Sequence, residues 1–438
     1  MENVLIYIIV IIAILVVGGF LTYNYVMNKS RNEFRAMEVP TTVRTSEFSR
    51  EFDGEHNTFS QWRGKNRDGI YHESELLTEW HENGAELLWH IEGLGDGYSS
   101  PAIANGKIYV TGIDGDNLVL FVFDLNGKFL NRTVVGTEWD KNYPGTRSTV
   151  TVSDGKLYVF SSVGHLSCLD EETLELVWKK DVLNDFDGRN LRWGMTESPL
   201  VIGEKVIITP GGRVNNVVAL NKKTGELIWS SRGLGEPSTY SSPLFVDGYS
   251  VPLIVANTEQ HIIGLNANTG ELLWSHPQTN THNIHPNTPL YADGMIFSTT
   301  GYGGGSLMLR LKNNGKSVEQ VWKNNVDNQM GGAVKAGNYV FTSGHRNRGF
   351  ACINWHTGEI MWRVNQISPS AIIAADGMLY VYSDRGEMAL VRPNPEKFEL
   401  VSSFDVTLGT NQHWAHPVIH NGVLYIRQGD ALMAYKVR

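Results

Sequence analysis

Two His-x-x-His pairs, His282 with His285 and His413 with His416, are the first residues whose spacing suggests chemistry. A transition-metal site needs three or four such ligands, each within ~2.3 Å of one ion. His285 and His413 stand at equivalent places in two well-separated repeats, so they fall on different loops, and the expectation is loop histidines and no metal. The run Asp114-Gly115-Asp116-Asn117 has the composition of a calcium loop without the rest of its ligand spacing, and reads as a turn. No Gly-x-Ser-x-Gly elbow occurs, and neither Cys168 nor Cys352 has the setting of a nucleophile. No catalytic residue is assigned. Two groupings do have the make-up of partner-binding hot spots: Trp193 with Arg189 and Arg192, and Trp414 with His413.

The elements that must position these residues repeat along the chain. Thr224-Gly225-Glu226-Leu227-Ile228-Trp229 returns as Thr269-Gly270-Glu271-Leu272-Leu273-Trp274 and as Thr357-Gly358-Glu359-Ile360-Met361-Trp362, with a looser copy at Leu174–Trp178. Each copy follows one grammar: a small-Pro marker, a strand, an Asn-Gly or Asp-Gly turn, two strands, and a strand ending in Trp. Markers fall at Ser100, Thr149, Ser198, Ser242, Thr288, Gly332, Ser370 and His416, the spacing of propeller blades. Asn105-Gly106, Asp154-Gly155, Asp247-Gly248, Asp293-Gly294, Asp376-Gly377 and Asn421-Gly422 predict type I′ hairpins, because these residues reach positive φ cheaply. Gly203-Glu204 and Gly337-Asn338 are less regular.

The last repeat has three strands, and an orphan strand over 86–91 precedes the first. It is expected to supply the outer strand of blade eight, closing the ring and removing an open edge. Trp89, Trp178, Trp229, Trp274, Trp322 and Trp362 are read as structural wedges between blades. Blade one has Val134-Val135 in that place, and blade seven offers Phe404. Cys168 and Cys352 each lie ten residues before such a Trp, where Ala219 and Gly264 stand in other repeats. They are expected to be buried free thiols, too far apart across the ring for a disulfide.

From Val4 to Leu21 the chain carries no charge and is almost wholly apolar. Eighteen helical residues rise ~27 Å, close to the hydrocarbon thickness of a bilayer. A cleaved signal peptide is the rival, but the start Glu2-Asn3 is not basic and Gly18-Gly19-Phe20 makes a poor cleavage site. An uncleaved transmembrane anchor over 1–27 and a polar tether over 28–58 are expected. Lys29, Arg31 and Arg35 follow the span, which taken alone holds the rest of the chain in the cytoplasm. The net charge of −9 argues against nucleic acid, and the basic cluster Arg63, Lys65, Arg67 is too small to reverse that.

The repeat Ala219-Leu220-Asn221-Lys222-Lys223-Thr224-Gly225-Glu226-Leu227-Ile228-Trp229 resembles the tryptophan-docking motif of the pyrroloquinoline-quinone (PQQ) β-propeller family. Phe59-Ser60-Gln61-Trp62-Arg63-Gly64-Lys65-Asn66-Arg67-Asp68-Gly69 resembles the lead-in of its small bacterial members, and the likeness runs through Tyr98-Ser99-Ser100-Pro101 and covers 59–438. The family holds quinoprotein dehydrogenases and a non-enzymatic propeller of the outer-membrane barrel-assembly machinery, so the fold does not decide activity. It also implies an extracytoplasmic propeller, against the flanking charges.

In the dehydrogenases, cofactor and calcium sit on the axis against loops preceding each blade's first strand. The corresponding positions are Tyr98, Arg147, Trp193 beside Arg192, Glu197, Tyr240, His285, Asn287, Gln329, Gln366, His413 and Trp414. The resemblance implies Arg147 for a quinone carboxylate, Glu197 and Asn287 for a hard cation, and Trp414 for stacking. Three departures count against such an enzyme: no adjacent Cys-Cys pair, a shorter chain, and no Asp in the equivalent loops as general base. The expectation is therefore an all-β, eight-bladed propeller on an N-terminal transmembrane helix. It acts as a cofactor-free scaffold for a protein partner at the membrane, or for a small-molecule ligand. The alternative is a PQQ- and calcium-dependent dehydrogenase of alcohols or sugars.

Overall fold

The computed structural model describes residues 58–438, apart from 347 and 348. The apolar stretch from Val4 to Leu21 and the tether, up to residue 57, lie outside the described residues. Among the described residues no helix is long and apolar enough to cross a membrane.

Eight antiparallel sheets form the eight blades of a propeller. Blade three is typical: Leu200–Ile202, Lys205–Ile208, Val217–Asn221 and Leu227–Ser231 pair in sequence order. Its middle strands are buried nearly throughout, while the outer strand buries Trp229 and Ser231 and exposes Leu227 and Ile228. Blade eight is built from Val418–His420, Val423–Gln428 and Ala431–Lys436, completed by Glu86–Ile91. The closing strand thus takes the predicted place. Arg427, fully buried in blade eight, reinforces the closure by donating to the Ser99 hydroxyl and the Thr111 and Gly95 carbonyls of the blade-one side.

The repeated turn and the repeated Trp belong to each other across the blade boundary. Trp178 donates its indole N–H to the Lys222 carbonyl at 3.0 Å, Trp229 to Ala267 at 3.2 Å and Trp274 to Gly315 at 3.1 Å. Trp322 donates to Trp355 at 3.0 Å, Trp362 to Asn394 at 2.8 Å and Trp89 to Leu125 at 3.1 Å. Every acceptor lies in the following blade. The ring lies on the turn glycine there: a Cβ on Gly225 would stand 2.8 Å from Trp178, on Gly270 2.6 Å from Trp229, and on Gly358 2.5 Å from Trp322. Those glycines also have positive φ, so two independent constraints exclude a side chain. A β-bulge falls just before each of these tryptophans, turning the indole onto the next blade. Burying ~150–250 Å² per ring corresponds to roughly 4–6 kcal/mol of gross transfer energy.

The exceptions compensate one another. Blade one has no Trp, and in blade two the turn position filled by Gly225, Gly270 and Gly358 in other blades is Leu174, at φ 57. Leu174 is buried in the core cluster shared by blades one and two, and the register puts Asn131, opposite Val122, in the place of the Trp, not the Val134-Val135 pair expected from the sequence. Phe404 of blade seven replaces the Trp, with Gly84 of the closing segment against its ring. Cys168 stands opposite Trp178 and Cys352 opposite Trp362, as Ala219 and Gly264 stand opposite theirs. Both thiols are free and buried, which pushes each up to about 12.

Five of the six predicted type I′ turns have both central residues at positive φ. Asp247-Gly248 does not: only Gly248 is left-handed, and the connection is the longer loop 247–252. Val251-Pro252 follows that turn, and a proline there delays the second strand until Leu253.

The lead-in segment crosses the propeller axis. Ser60 exchanges backbone hydrogen bonds with Val152 of blade two, and Ile70–Tyr71 adds a parallel strand to blade seven at Ala374 and Ala375. Between them Arg63 and Arg67, 2% and 1% exposed, point into the inner strands. Arg67 donates to the carbonyls of Ser198 at 3.0 Å, Pro199 at 2.6 Å and Pro243 at 3.1 Å, and to Gln61 at 2.8 Å. Arg63 donates to the carbonyls of Ala333 at 2.6 Å and Ile372 at 3.0 Å and to His416 Nδ1 at 2.9 Å. The basic cluster is an internal pin joining blades three, four, six, seven and eight, with only Lys65 of the three exposed.

Two predictions follow from these fastenings. Asn131→Trp and Leu174→Gly should each cost about 2 kcal/mol, one by overpacking against Leu174 and one by a cavity. Combined, they should recover at least about 1 kcal/mol of that sum in urea unfolding; strict additivity would show that the two positions do not share one space. Arg67→Met leaves three buried acceptors unpaired, since the Pro199 carbonyl keeps the Thr151 hydroxyl, and should cost about 3 kcal/mol or more. Limited proteolysis should then cut within 58–71, whereas the unsubstituted protein resists.

Candidate functional site

The site is the axial mouth, built from the loops that enter each inner strand. Its floor is a belt of marker residues. Ser100 N–H donates to Thr149 Oγ1 at 3.1 Å, Thr149 N–H to Ser198 Oγ at 3.0 Å, and Ser198 N–H to Ser242 Oγ at 2.8 Å. Thr288 and Ser100 hydroxyls close further links to the Ser242 and His416 carbonyls, both at 2.8 Å. In blades two, three and four the marker hydroxyl therefore serves as the acceptor for the preceding blade's backbone N–H.

Three aromatic and cation groups rise above this floor. In the first, Trp414 is flanked by Tyr98 and Tyr143, with ring centroids 5.1 Å away on each side. Arg147 lies over the rings of Tyr98 and Trp139 at 5.8 and 5.9 Å. Its guanidinium donates to the carbonyls of Gly145 at 2.6 Å and Tyr143 at 2.5 Å, which holds the 142–147 loop in shape. In the second, Arg192 lies 5.1 Å over Trp193, which meets Tyr240 at 5.9 Å. Burial is the main cause that pushes the Tyr240 phenol up to about 12. In the third, Tyr302 lies between His282 and His345 at 4.6 and 4.7 Å, under Arg346 at 5.7 Å, and receives a hydrogen bond from Gln329 at 3.0 Å.

Of the sequence-derived ring, Tyr98, Arg147, Arg192, Trp193, Tyr240, Gln329 and Trp414 lie in these groups. His413 is bonded through Nδ1 to the Tyr382 hydroxyl at 2.5 Å. Glu197, His285 and Asn287 are 1–2% exposed and serve the framework. Gln366 is exposed beside blade seven. Sequence reading missed Trp139, Tyr143, Tyr302 and His345. Tyr302 and His345 come from the loops between second and third strands, which reach the same face but carry no marker; the aromatic-rich loop 138–147 was the available signal for the other two.

The donor geometry bears on calcium and PQQ. Both Glu197 oxygens accept from Thr209, the backbone N–H at 2.8 Å and the hydroxyl at 2.5 Å. Asn287 Oδ1 accepts from Gly332 N–H at 3.0 Å while its amide donates to the Asn328 carbonyl at 2.7 Å. Among the described residues no cluster of three His, Cys, Asp or Glu could hold a metal. With the Arg147 donors also committed to backbone, these residues do not fit a calcium-bound quinone, and no step is derived through one.

Buried titratable groups sit beneath the mouth. His416 accepts from Arg63 at Nδ1, so its other nitrogen carries the proton that binds the Met330 carbonyl at 3.1 Å. It is a neutral imidazole, pushed down to about 3 by burial first and the Arg63 charge second. Both of its nitrogens are taken, which ends the reading of His413-x-x-His416 as a metal pair. Burial also lowers His285 to about 4. The unfolded chain takes up protons at these histidines near pH 6.5, and the fold resists until pH 3–4. Their contribution to stability therefore rises with pH across that window, by about 1.4 kcal/mol per unit per group. Glu197 and Glu138, raised by burial to about 7 and about 6, act in the opposite sense above pH 4.5. His416→Gln keeps an acceptor for Arg63 and removes one titration. Its stability measured from pH 4 to 6.5 should lose one proton's slope relative to the unsubstituted chain; an unchanged slope would show that His416 is charged in the fold.

Comparisons with known proteins agree with this architecture. One curated relative, the quinoprotein ethanol dehydrogenase of Pseudomonas aeruginosa, is 31% identical over 113 residues, which is 25% of this chain. The match spans only 18% of that enzyme's length. Among solved structures, BamB from Moraxella catarrhalis superposes with a TM-score of 0.59 at 13% identity, over 80% of this chain and 99% of that one. Quinohemoprotein alcohol dehydrogenase from Comamonas testosteroni gives 0.62 at 12% identity, over 85% of this chain and 79% of that one. At such identities the superpositions speak for the fold alone. The model of the family described as outer membrane protein assembly factor BamB matches residues 131–326 and 196–395, more than half of the chain. The protein belongs to this PQQ-repeat propeller family.

Proposed function

We propose that this propeller is a non-enzymatic scaffold that binds a protein partner through its axial mouth, in the manner of an assembly factor. It is held at a membrane by the apolar stretch from Val4 to Leu21 and works outside the cytoplasm. One observation carries the reading: the mouth's aromatic and cationic side chains are held by the loops themselves, while the candidate cofactor ligands are consumed by the framework. A preformed surface of Trp, Tyr and Arg is what tight protein contacts use, because rigid aromatic anchors lose little entropy on docking. The family description, outer membrane protein assembly factor, supports the same reading.

The dehydrogenase neighbours make a quinone enzyme the second reading, favoured by the local match to quinoprotein ethanol dehydrogenase. One set of measurements separates the two. Arg147→Gln, Trp193→Ala and Trp414→Ala should each leave the melting temperature within a few degrees and weaken capture of a membrane-protein partner about tenfold or more, since anchors of this kind contribute ~2 kcal/mol or more. Added PQQ with calcium should give neither saturable binding nor dye-linked oxidation of alcohols or sugars. Turnover would overturn the scaffold reading, as would partner capture indifferent to all three substitutions.

A further inference from the structure

A second feature of the mouth face lies off the axis, over blades two to four. A cavity of about 410 Å³ is lined by Asp187, Arg189, Gly211, Arg213, Gly235 and Pro237. Its walls are three loops pressed backbone to backbone. A Cβ on Gly188 would stand 2.7 Å from the Pro210 carbonyl oxygen, one on Gly212 2.4 Å from that of Phe186, and one on Gly235 3.0 Å from that of Arg213. Glycine at these places lets the loops meet, and their contact fixes the cavity's outline.

The charges around it are unusual for a chain with a net charge of −9. Arg189 and Arg213 enter from different loops, both exposed, with Arg232 exposed on the third loop. None of the three side chains has a hydrogen bond or ion pair among the described residues. Glu236, on the third loop, is committed to His261 at 2.7 Å and to Thr258. Asp187 lines the cavity without pairing to either arginine. Beside these cations Val214 is 63% exposed at the tip of the Arg213 loop, and Leu234 is 38% exposed. Unpaired guanidinium groups around one concavity, with aliphatic side chains at its rim, complement a carboxylate that has an apolar neighbour.

We infer that this cavity receives an acidic segment of the partner protein, seating a carboxylate between Arg189 and Arg213 with an aliphatic neighbour against Val214 and Leu234. The inference rests on the scaffold reading and gives the partner a chemistry. Arg232 adds charge at the rim and speeds encounter more than it strengthens the complex.

The test uses the full chain and a fluorescent nine-residue peptide alternating Glu and Leu, followed by anisotropy at two salt concentrations. Arg189→Gln with Arg213→Gln should weaken binding at least tenfold and flatten its salt dependence, with an unchanged melting temperature because neither side chain is bonded in the fold. Trp414→Ala should leave binding of this peptide intact, so a failed axial-mouth reading is distinguishable from a failed acidic-segment reading. A Lys-Leu peptide should not bind. The proposal falls if the double variant binds equally well, or if a Glu-Ser peptide or inorganic phosphate binds as tightly as the Glu-Leu peptide.

Discussion

The ring of blades depends on an aromatic side chain of one blade packing on the outer turn of the next, in four joints an indole lying on a turn glycine. The contact is directional, since the Trp N–H has one acceptor and the glycine admits no Cβ. It also fixes spacing, because the two halves of each such joint stand at the same register in their blades. A ring built this way closes only if the first and last blades carry matching halves. The closing segment supplies both, with Gly84 receiving Phe404 and Trp89 reaching Leu125 in blade one.

Two further systems act nearer the axis. Marker hydroxyls pass hydrogen bonds from blade to blade, and two buried arginines span the inner strands. Burying a guanidinium is costly unless its donors are satisfied, and here backbone carbonyls from different blades do so. The same carbonyls would otherwise face an empty axis. This division of labour leaves the upper loops free of structural duty at their tips, where the aromatic and arginine side chains gather.

Function on such a frame is carried by what the loops add. Glu197 and Asn287, the residues whose types most resembled a cation site, hold Thr209 and the Gly332 turn in place instead. The loop tips carry guanidinium groups on aromatic rings and, off the axis, arginines without an ion pair among the described residues. These are the features on which the proposed scaffold reading rests. Stacking desolvates one face of a guanidinium and leaves its edge to recognise a carboxylate.

The scaffold was legible because its constraints are local and repeated. Positive φ demands Gly, Asn or Asp, strand burial demands aliphatic runs, and the joint demands Gly and Trp at fixed places. Even the orphan strand over 86–91 could be assigned from a missing fourth strand. The Asp247-Gly248 turn failed because a nearby proline overrode the dipeptide. Arg63 and Arg67 were legible only as charge, since nothing in their spacing shows that carbonyls from four blades and the His416 ring of a fifth converge on them. By itself the sequence determined the number of blades, their closure and the small-residue role of both cysteines. Tertiary structure alone decided which polar residues are consumed by the frame and which remain available. Hydrogen-bond partners come from distant blades, and no local pattern records where a side chain's donors and acceptors are spent.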